Sequence, residues 1–203
     1  MKLTWYGHAC FMLETAEDSV VFDPYEDNYM PNLRLPKLTA DTVICSHGHG
    51  DHSAAHAVTL TGNVPTFKIT QIPCFHDEVQ GKKRGNNNIT VVEAEGKRVA
   101  HFGDLGHKLD AEQLAAIGYV DVLMIPVGGV YTVDAKTAKE ICDVIHPAVT
   151  VPMHYRMGSA GLQNVAGVDE FLSLFDEDDI LRLGKNTWEI ADIPPKVAVF
   201  ELC

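Results

Sequence analysis

Apolar residues fall in short runs along the first half of the chain, and these runs are rich in aromatic and β-branched side chains. Runs of this length and composition, interrupted by glycine or by acidic pairs, predict β-strands rather than helices. The predicted strands of this half are Lys2–Tyr6, Ala9–Glu14, Ser19–Phe22, Thr42–Cys45, Gln71–Phe75, Ile89–Glu93 and Arg98–Phe102.

Helix signals appear only in the second half. Asp110 opens a capping box, and Gly118 is the residue type that commonly ends a helix. Apolar residues at helical spacing predict a second helix that is capped by Asp134 and ends before Pro147. A third helix is predicted within residues 168–175.

Further apolar runs lie between and after these helices. They predict four more strands, at Val120–Ile125, Ala148–Met153, Ile180–Leu183 and Lys196–Leu202. Strands mixed with helices along one chain are typical of an α/β architecture of layered sheets and helices. Because the 203 residues contain no repeat or linker, we expect a single domain over residues 1–203.

Composition and charge restrict the partners. The net charge of −12 argues against a nucleic-acid partner or an anionic membrane, since polyanions are bound by Lys and Arg. No apolar run approaches the roughly 20 residues of a membrane span, and the N-terminus lacks the pattern of a signal peptide. The five cysteines are widely spaced and form no CxxC pair. We therefore expect a reduced, cytoplasmic protein, and the sequence leaves a homo-oligomer open.

The ten histidines include one dense cluster, His47-Gly48-His49-Gly50-Asp51-His52. Imidazole nitrogens and a carboxylate form the ligand set that zinc favours and that iron or manganese also accept. The two glycines let the backbone turn tightly, so that alternate side chains face one space. The cluster predicts a metal site, and the alternative is a solvated His-rich loop.

Three further candidate ligands stand at the ends of predicted strands: His76, Asp104 and His154. Ligands in open α/β folds gather beyond the carboxyl ends of strands. Each residue alone is typical of an ordinary polar turn. Their common placement predicts that they join the histidine cluster in one site.

The order of these motifs resembles the metallo-β-lactamase superfamily of metal-dependent hydrolases. Residues 47–52 resemble its HxHxDH motif, and Asp23-Pro24 resembles its upstream strand-end Asp. Residues 5–11 and 126–132 resemble a bacterial branch of small hydrolases that is related to the ascorbate-6-phosphate lactonase type. The resemblance covers residues 5–155 and implies an αβ/βα four-layer sandwich with the site along one edge.

The resemblance also implies a site for two divalent metal ions, with zinc favoured and iron or manganese as alternatives. The implied ligands are His47, His49 and His76 for one ion, Asp51, His52 and His154 for the other, and Asp104 as a bridge. A hydroxide activated by both ions and oriented by Asp51 would cleave a small ester, lactone, amide or phosphoester. The alternative is a phosphodiesterase or nuclease acting on RNA or nucleotides, although such relatives usually carry an inserted arm and a basic surface.

Five further residues are candidate catalytic or substrate-binding groups. Asp23 is expected to accept a proton from a ligand imidazole and fix its tautomer, unless it is an ordinary turn residue. His8 is expected at the pocket rim, in contact with substrate or with a metal ligand, or in a structural role.

Arg84 suits a substrate carboxylate or phosphate, unless its loop is simply solvated. Tyr131 and Tyr155 are predicted to offer hydroxyls to an oxyanion. The expected substrate is a small molecule, and the metal charge makes an anionic one compatible with the acidic chain.

Overall fold

The structure, a computed structural model, describes residues 1–190 and 196–202. In this part of the chain the strands are β1 (Lys2–Trp5), β2 (Phe11–Glu14), β3 (Ser19–Phe22), β4 (Leu38–Ala40), β5 (Thr42–Ile44), β6 (Val58–Leu60), β7 (Lys68–Phe75), β8 (Asn86–Ala94), β9 (Lys97–His101), β10 (Val122–Pro126), β11 (Val149–Met153), β12 (Ile180–Arg182), β13 (Thr187–Glu189) and β14 (Val197–Val199). The α-helices are α1 (Ala111–Ile117), α2 (Ala135–Ile145) and α3 (Asp169–Leu172).

The strands form two large sheets that pack face to face. One sheet has the order β13-β1-β2-β3-β5, and the other has the order β12-β14-β11-β10-β9-β8-β7. Alternation along β2 explains the packing. Phe11 and Leu13 enter the core shared by both sheets, whereas Met12 between them packs against a second cluster on the opposite face. Both faces of the strand are apolar, so both faces are covered.

The two outer faces are covered differently. The three helices lie over the seven-stranded sheet, where Ile117 of α1, Ile141 of α2 and Phe171 of α3 join the main core. Residues 1–110, all of which are described, contain no α-helix. There the outer face is covered by coil and by the small parallel pair β4–β6. The predicted α/β sandwich is confirmed, with one outer layer built largely from loops.

Most predicted elements are present with shifted ends. The capping box at Asp110 is formed, and α2 is capped by the Asp134 side chain, which accepts a hydrogen bond from the Thr137 amide. The third helix is shorter than predicted. Strands β4, β6 and β13 were not predicted, because none of their sequences, Leu-Thr-Ala, Val-Thr-Leu and Thr-Trp-Glu, contains two consecutive apolar residues.

The structure also bears on the expectations about a membrane span and about the cysteines. No helix within residues 1–190 and 196–202 is long and apolar enough to cross a bilayer. The thiols of Cys10, Cys45, Cys74 and Cys142 are free, and Cys203 lies outside the described residues.

Strand direction brings the candidate ligands to one edge. β7 and β9 are both antiparallel to β8 and therefore run in the same direction, and β9, β10 and β11 are mutually parallel. The carboxyl ends of β7, β9, β10 and β11 thus lie at the same edge of the sheet. In the other sheet β3 and β5 are also parallel. The residues that follow each of these strands therefore meet between the two sheets.

Candidate metal centre

Asp104 lies at the centre of the histidine cluster. Its Oδ2 atom is 3.2 Å from Nε2 of His52, 3.2 Å from Nε2 of His76 and 3.3 Å from Nε2 of His154. Asp104 and His154 are almost fully buried, with 1% of each exposed. The strand-end residues His76 and His154 and the HxHxDH residue His52 thus converge on the carboxylate of Asp104, which follows a third strand, as their placement predicted.

The donor atoms of this cluster fall into three overlapping groups that fit a metal ion. Within each group the potential ligand atoms all lie within 4.8 Å of one another. The groups are His47, His49 and His76; His47, His52 and Asp104; and His8, Asp51, His52 and His154. The first matches one predicted ligand set, and the third contains the other predicted set together with His8.

Unsatisfied polar atoms support a cation at this place. Among the described residues, the buried side-chain atoms that lack a hydrogen-bond partner are Nδ1 of His76, Oδ1 of Asp104, and Nδ1 and Nε2 of His154. Buried polar groups are almost always paired. Because an imidazole ring binds an ion through one nitrogen, the orphaned atoms that support a cation are Oδ1 of Asp104 and Nε2 of His154, which face each other's residues at the centre of the cluster and are donors that a divalent transition metal accepts. The residues present therefore fit the implied ions.

Asp23 holds one ligand from behind. Its carboxylate accepts hydrogen bonds from the Ser46 amide and hydroxyl, both at 2.6 Å, and lies 2.8 Å from Nδ1 of His52. His52 therefore donates from Nδ1 and turns Nε2 towards the cluster. Burial by itself lowers the pKa of His52, but Asp104 and Asp23 raise it well above its usual value, so a metal ion that binds Nε2 displaces a proton. This geometry agrees with the tautomer-fixing role expected for Asp23.

The pKa values of the cluster depend both on burial and on the charges of neighbouring groups. Burial by itself raises the pKa of Asp104, but the surrounding imidazoles of His154 and His52 hold that pKa well below its ordinary value. Burial lowers the pKa of His47 to about 4, and the neighbouring His52 adds to this shift. A neutral imidazole beside an ionised carboxylate is the state in which both groups bind a metal ion.

His8 lies deeper than expected. It was predicted at the pocket rim, but only 2% of it is exposed, and it lies beneath the cavity rather than along its lining. Nε2 of His8 is 3.2 Å from Nε2 of His52 and 3.3 Å from Oδ2 of Asp51. Burial, together with the nearby His154, lowers the pKa of His8 to about 3.

Comparison with known proteins matches this arrangement. The family model described as "Beta-lactamase superfamily domain" matches residues 2–154, which include every residue of the cluster. A crystal structure from Thermotoga maritima, described as a zinc-dependent hydrolase of the metallo-β-lactamase superfamily, is 39% identical. It superposes with a TM-score of 0.81 and covers 100% of this chain and 99% of its own. This chain belongs to the metallo-β-lactamase superfamily.

Sequence relatives in the superfamily carry a similar description. The "UPF0173 metal-dependent hydrolase" of Carboxydothermus hydrogenoformans is 31% identical in an alignment of 191 residues. The match covers 76% of this chain and 84% of the relative. Its counterpart from Thermoplasma acidophilum is 28% identical over 188 residues, with coverage of 76% and 83%.

In this metallo-β-lactamase superfamily member the cluster forms the floor of a cavity of about 350 Å³. The cavity is lined by Tyr29, His49, Asp51, His76, Lys83, Arg84, Asp104, Tyr131, His154 and Leu162. Its volume suits a small molecule. Besides the cluster, the lining offers two cationic groups, two phenolic groups and the aliphatic side chain of Leu162.

The structure brings two of the three predicted substrate-binding residues to this cavity. Arg84 donates from Nη2 to the Val130 carbonyl at 2.8 Å, and its guanidinium carbon is 5.8 Å from the centre of the Tyr131 ring. The Tyr131 hydroxyl accepts a hydrogen bond from Asn164 at 2.7 Å. Both side chains are thus held at the cavity wall, and their contact with substrate stays a prediction.

Tyr155 requires a correction. It is 5% exposed, belongs to the main hydrophobic core and packs against Trp5 with ring centres 5.5 Å apart. It is not among the residues that line the cavity. The neighbouring His154 enters the site while Tyr155 enters the core, so proximity in sequence to a motif was a misleading signal.

Several residues of the site were not found from the sequence. Tyr29 reaches the cavity by covering Gly50, where an added Cβ would lie 2.6 Å from the Tyr29 ring. Asn87 accepts a hydrogen bond from the Asp104 amide at 3.0 Å and donates to the Phe102 carbonyl at 2.9 Å, which fixes the Asp104 loop. No local pattern marks such residues, because their role depends on contacts between distant segments.

Two other histidines close to the site are structural. His101 is buried, with Nε2 2.9 Å from the Ala9 carbonyl, and its ring stacks on Phe22. His107 accepts a hydrogen bond from the Phe75 amide at 3.1 Å through Nε2. Neither belongs to a group of potential metal ligands among the described residues.

Proposed function

We propose that this protein, a metal-dependent hydrolase of the metallo-β-lactamase superfamily, uses two divalent metal ions to cleave a small ester, lactone, amide or phosphoester that carries an anionic group. The observation that carries the proposal is the position of Asp104, whose Oδ2 lies within 3.3 Å of three imidazole Nε2 atoms. Donors stand on both sides of this carboxylate, in the groups His47, His49, His76 and Asp51, His52, His154. A carboxylate between two sets of donors is suited to bridging two cations.

The chain's own residues supply orientation and proton handling. Two divalent ions about 3.5–4 Å apart lower the pKa of water and polarise a carbonyl or phosphoryl oxygen. Asp51 lies at the cavity wall, where its carboxylate can accept a hydrogen bond from the attacking water and align it. Asp23 keeps the His52 Nε2 lone pair directed into the site through its contact with Nδ1. We take zinc as the first candidate metal, because imidazole and carboxylate donors suit it.

An anionic substrate is supported by the cations at the cavity wall. Lys83 and Arg84 line the cavity together with Tyr131, and Arg84 lies over the Tyr131 ring, whereas the Lys83 ammonium group is paired with Glu78. Arg84 spends one terminal nitrogen on the Val130 carbonyl, and the guanidinium retains donors for a carboxylate or phosphate. Tyr131 can donate its hydroxyl proton to the same oxygen atoms, because it accepts rather than donates in its contact with Asn164.

Metal analysis together with a substrate panel tests the function. The panel should contain lactones, thioesters, amides, phosphomonoesters and phosphodiesters, each as a pair with and without a second anionic group. We expect two equivalents of zinc in the reconstituted protein, with loss of metal and activity in His49→Ala. Protein that binds no transition metal after reconstitution, or a His49→Ala variant with unchanged metal content and activity, would contradict the proposal. Turnover confined to phosphodiesters of nucleotides would favour the nuclease alternative.

The Arg84 part of the proposal has its own test. Arg84→Gln should raise KM for the anionic member of a substrate pair by about tenfold or more, since a charge-assisted hydrogen bond contributes about 1.5–3 kcal/mol. The neutral member should be almost unaffected. Arg182→Gln is a suitable control, because Arg182 is exposed and pairs with Glu177 away from the cavity. Equal effects on both members of the pair would contradict substrate binding by Arg84.

A further inference from the structure

His8 is held rigidly in the turn between β1 and β2. Its carbonyl oxygen accepts hydrogen bonds from the Trp5 indole at 3.1 Å and from the His154 amide at 3.2 Å. The turn is closed by the Cys10 amide, which donates to the Gly7 carbonyl at 2.9 Å. These contacts attach the His8 backbone directly to the segment that carries the ligand His154. The ring itself is buried and packs against the His154 ring, with ring centres 4.1 Å apart.

The ring of His8 points at the metal cluster with the spacing expected of a ligand. Metal ligands about 2.0–2.2 Å from an ion, at angles of 90–120°, stand about 2.8–3.8 Å from one another. Nε2 of His8 lies 3.2 Å from Nε2 of His52 and 3.3 Å from Oδ2 of Asp51. Together with His154 these donors form a group within 4.8 Å. The separations match those of neighbouring ligands around one ion.

A hydrogen-bond network accounts for the same atoms less well. A proton on Nε2 of His8 can reach either His52 or Asp51, but not both. Nε2 of His154 then faces only Oδ2 of Asp104, an oxygen that His52 and His76 also face, and this contact does not meet hydrogen-bond geometry. Nδ1 of His52 already contacts Asp23, so Nε2 of His52 has a lone pair to share. A cation among the four residues satisfies every one of these atoms at once.

We propose that His8 is a direct ligand of the metal ion held by Asp51, His52 and His154, in addition to the ligands that the sequence motifs imply. The proposal rests on the two-metal function proposed above. It gives this ion three imidazole ligands and one carboxylate before Asp104 is counted. It also assigns a chemical role to a histidine that belongs to neither the HxHxDH segment nor a strand end.

A crystal structure of the zinc-loaded wild-type protein, with anomalous scattering recorded at the zinc edge, tests the proposal directly. We expect a zinc peak about 2.0–2.2 Å from Nε2 of His8. A structure with two zinc ions, in which Nε2 of His8 stays hydrogen-bonded to Asp51 and beyond ligand distance from both ions, would overturn it. This experiment needs no variant and so does not depend on the folding of one.

A cavity variant tests the proposal in solution. The φ angle of His8 is +52°, a value that glycine adopts without strain, so His8→Gly should leave the backbone in place. We expect it to bind the second equivalent of Co²⁺ about tenfold or more weakly and to change the visible Co²⁺ spectrum. Added imidazole should restore both. Pyrrole, which has an N–H but no ring lone pair for a metal, should restore neither.

Equal rescue by pyrrole would show that position 8 needs only a hydrogen-bond donor, and unchanged Co²⁺ binding would show that no ligand was lost. Either result would overturn the proposal. His146→Gly is the matched control, since His146 has a similar φ angle of +51° at the end of α2 and belongs to no group of potential metal ligands among the described residues. It should retain two equivalents of Co²⁺, and a loss as large as that of His8→Gly would count against a ligand role.

The two proposals can fail separately. Wild-type protein that binds fewer than two equivalents of zinc or Co²⁺ would contradict the proposed function. Wild-type protein that binds two equivalents, with His8 away from both ions, would contradict only the ligand role of His8.

Discussion

At the scale of single residues, the site is built partly from unusual backbone conformations. His8, Asp23 and His154 have φ angles of +52°, +44° and +54°. Non-glycine residues in this region cost about 1–3 kcal/mol each and persist only where their surroundings hold them. At Asp23 the side chain is held by Ser46 and His52, and at His8 the carbonyl is held by Trp5 and His154. Holding these three residues in the left-handed region therefore lowers the stability of the fold.

Asp23→Asn should weaken metal binding without touching a metal ligand. The new amide must place an N–H₂ group against the donors of Ser46 or His52, so at least one hydrogen bond is lost and the His52 tautomer is no longer fixed. We expect metal affinity to fall by about 10–100-fold. Competition with a chromophoric chelator measures this change.

The matched control for Asp23→Asn is the same substitution at Asp41. That carboxylate also accepts several hydrogen bonds, among them those from the Ser19 amide and hydroxyl at 2.7 and 2.8 Å, but it is not part of the metal cluster. Asp41→Asn should lower thermal stability and leave metal affinity unchanged. Equal losses of metal affinity in both variants would show that Asp23 acts only through general stability.

At the scale of structural elements, the loop after β7 is organised by one side chain. Asp77 directly follows the ligand His76 and accepts hydrogen bonds from the amides of Val79, Gly81, Lys83 and Arg84, at 2.8–2.9 Å. The loop that brings the two cations to the cavity is thus tied to the residue next to a ligand. The cations of this loop stand out in the sequence, whereas the role of Asp77 depends on the folded loop.

The contribution of Asp77 should depend on pH. Burial by itself raises its pKa, but the four backbone hydrogen bonds outweigh this and lower it from 3.8 to about 2. A depressed folded-state pKa stabilises the protein above the ordinary pKa, and that stabilisation is lost as the pH falls towards 2. In metal-free protein, Asp77→Asn should therefore lower the free energy of unfolding at pH 5–7, and the difference from wild type should shrink between about pH 4 and 2.

Urea denaturation of metal-free wild type and Asp77→Asn across this pH range measures the effect. A difference between the two proteins that stays constant or grows on acidification would contradict the assigned role of the Asp77 carboxylate.

Close backbone contact at Gly106 joins two ligand-bearing loops. A Cβ atom at this position would lie 2.3 Å from the Asp77 amide nitrogen and 2.3 Å from the His76 carbonyl carbon. Gly106→Ala must separate the His76 loop from the Asp104 loop, at a cost of about 1–3 kcal/mol. We expect a lower melting temperature and weaker metal binding. Gly167→Ala, where the added Cβ meets nothing closer than 4.0 Å, should change neither.

At the scale of the whole molecule, metal binding should stabilise the fold. The ligands come from both sheets and meet only in the folded state, so the ions bind the native protein in preference to the unfolded chain. Zinc at a hundredfold excess over its Kd adds about 2.7 kcal/mol per site, which corresponds to a rise in Tm of about 5–10 °C for a chain of this size. Scanning calorimetry of chelator-treated and zinc-loaded protein measures the shift. His49→Ala should show a smaller rise, and identical Tm values with and without zinc would contradict the prediction.

The overall charge has a different meaning once the site is assembled. The net charge of −12 argues against an extended polyanion-binding surface, but Lys83 and Arg84 lie at the cavity wall beside the metal cluster. Lys83 pairs with Glu78, whereas Arg84 donates to the neutral Val130 carbonyl and keeps its charge for a small anion.

The amino-acid sequence by itself determined the donor atoms and most of the elements that carry them. The HxHxDH spacing, the strand-end positions of His76, Asp104 and His154, and the capping box at Asp110 are all local features. Local features of this kind can be read from the chain, because strand alternation, helix capping and donor chemistry depend on neighbouring residues.

Only the tertiary structure decided which side chains share a space. His8 is buried against His52 rather than at the rim, and Tyr155 joins the core beside Trp5 although it follows a ligand. Tyr29 and Asn87 serve the site through contacts with Gly50 and Asp104. The direction of each of these side chains is fixed by backbone turns and by packing between segments far apart in the chain, and neither leaves a periodic signal in the sequence.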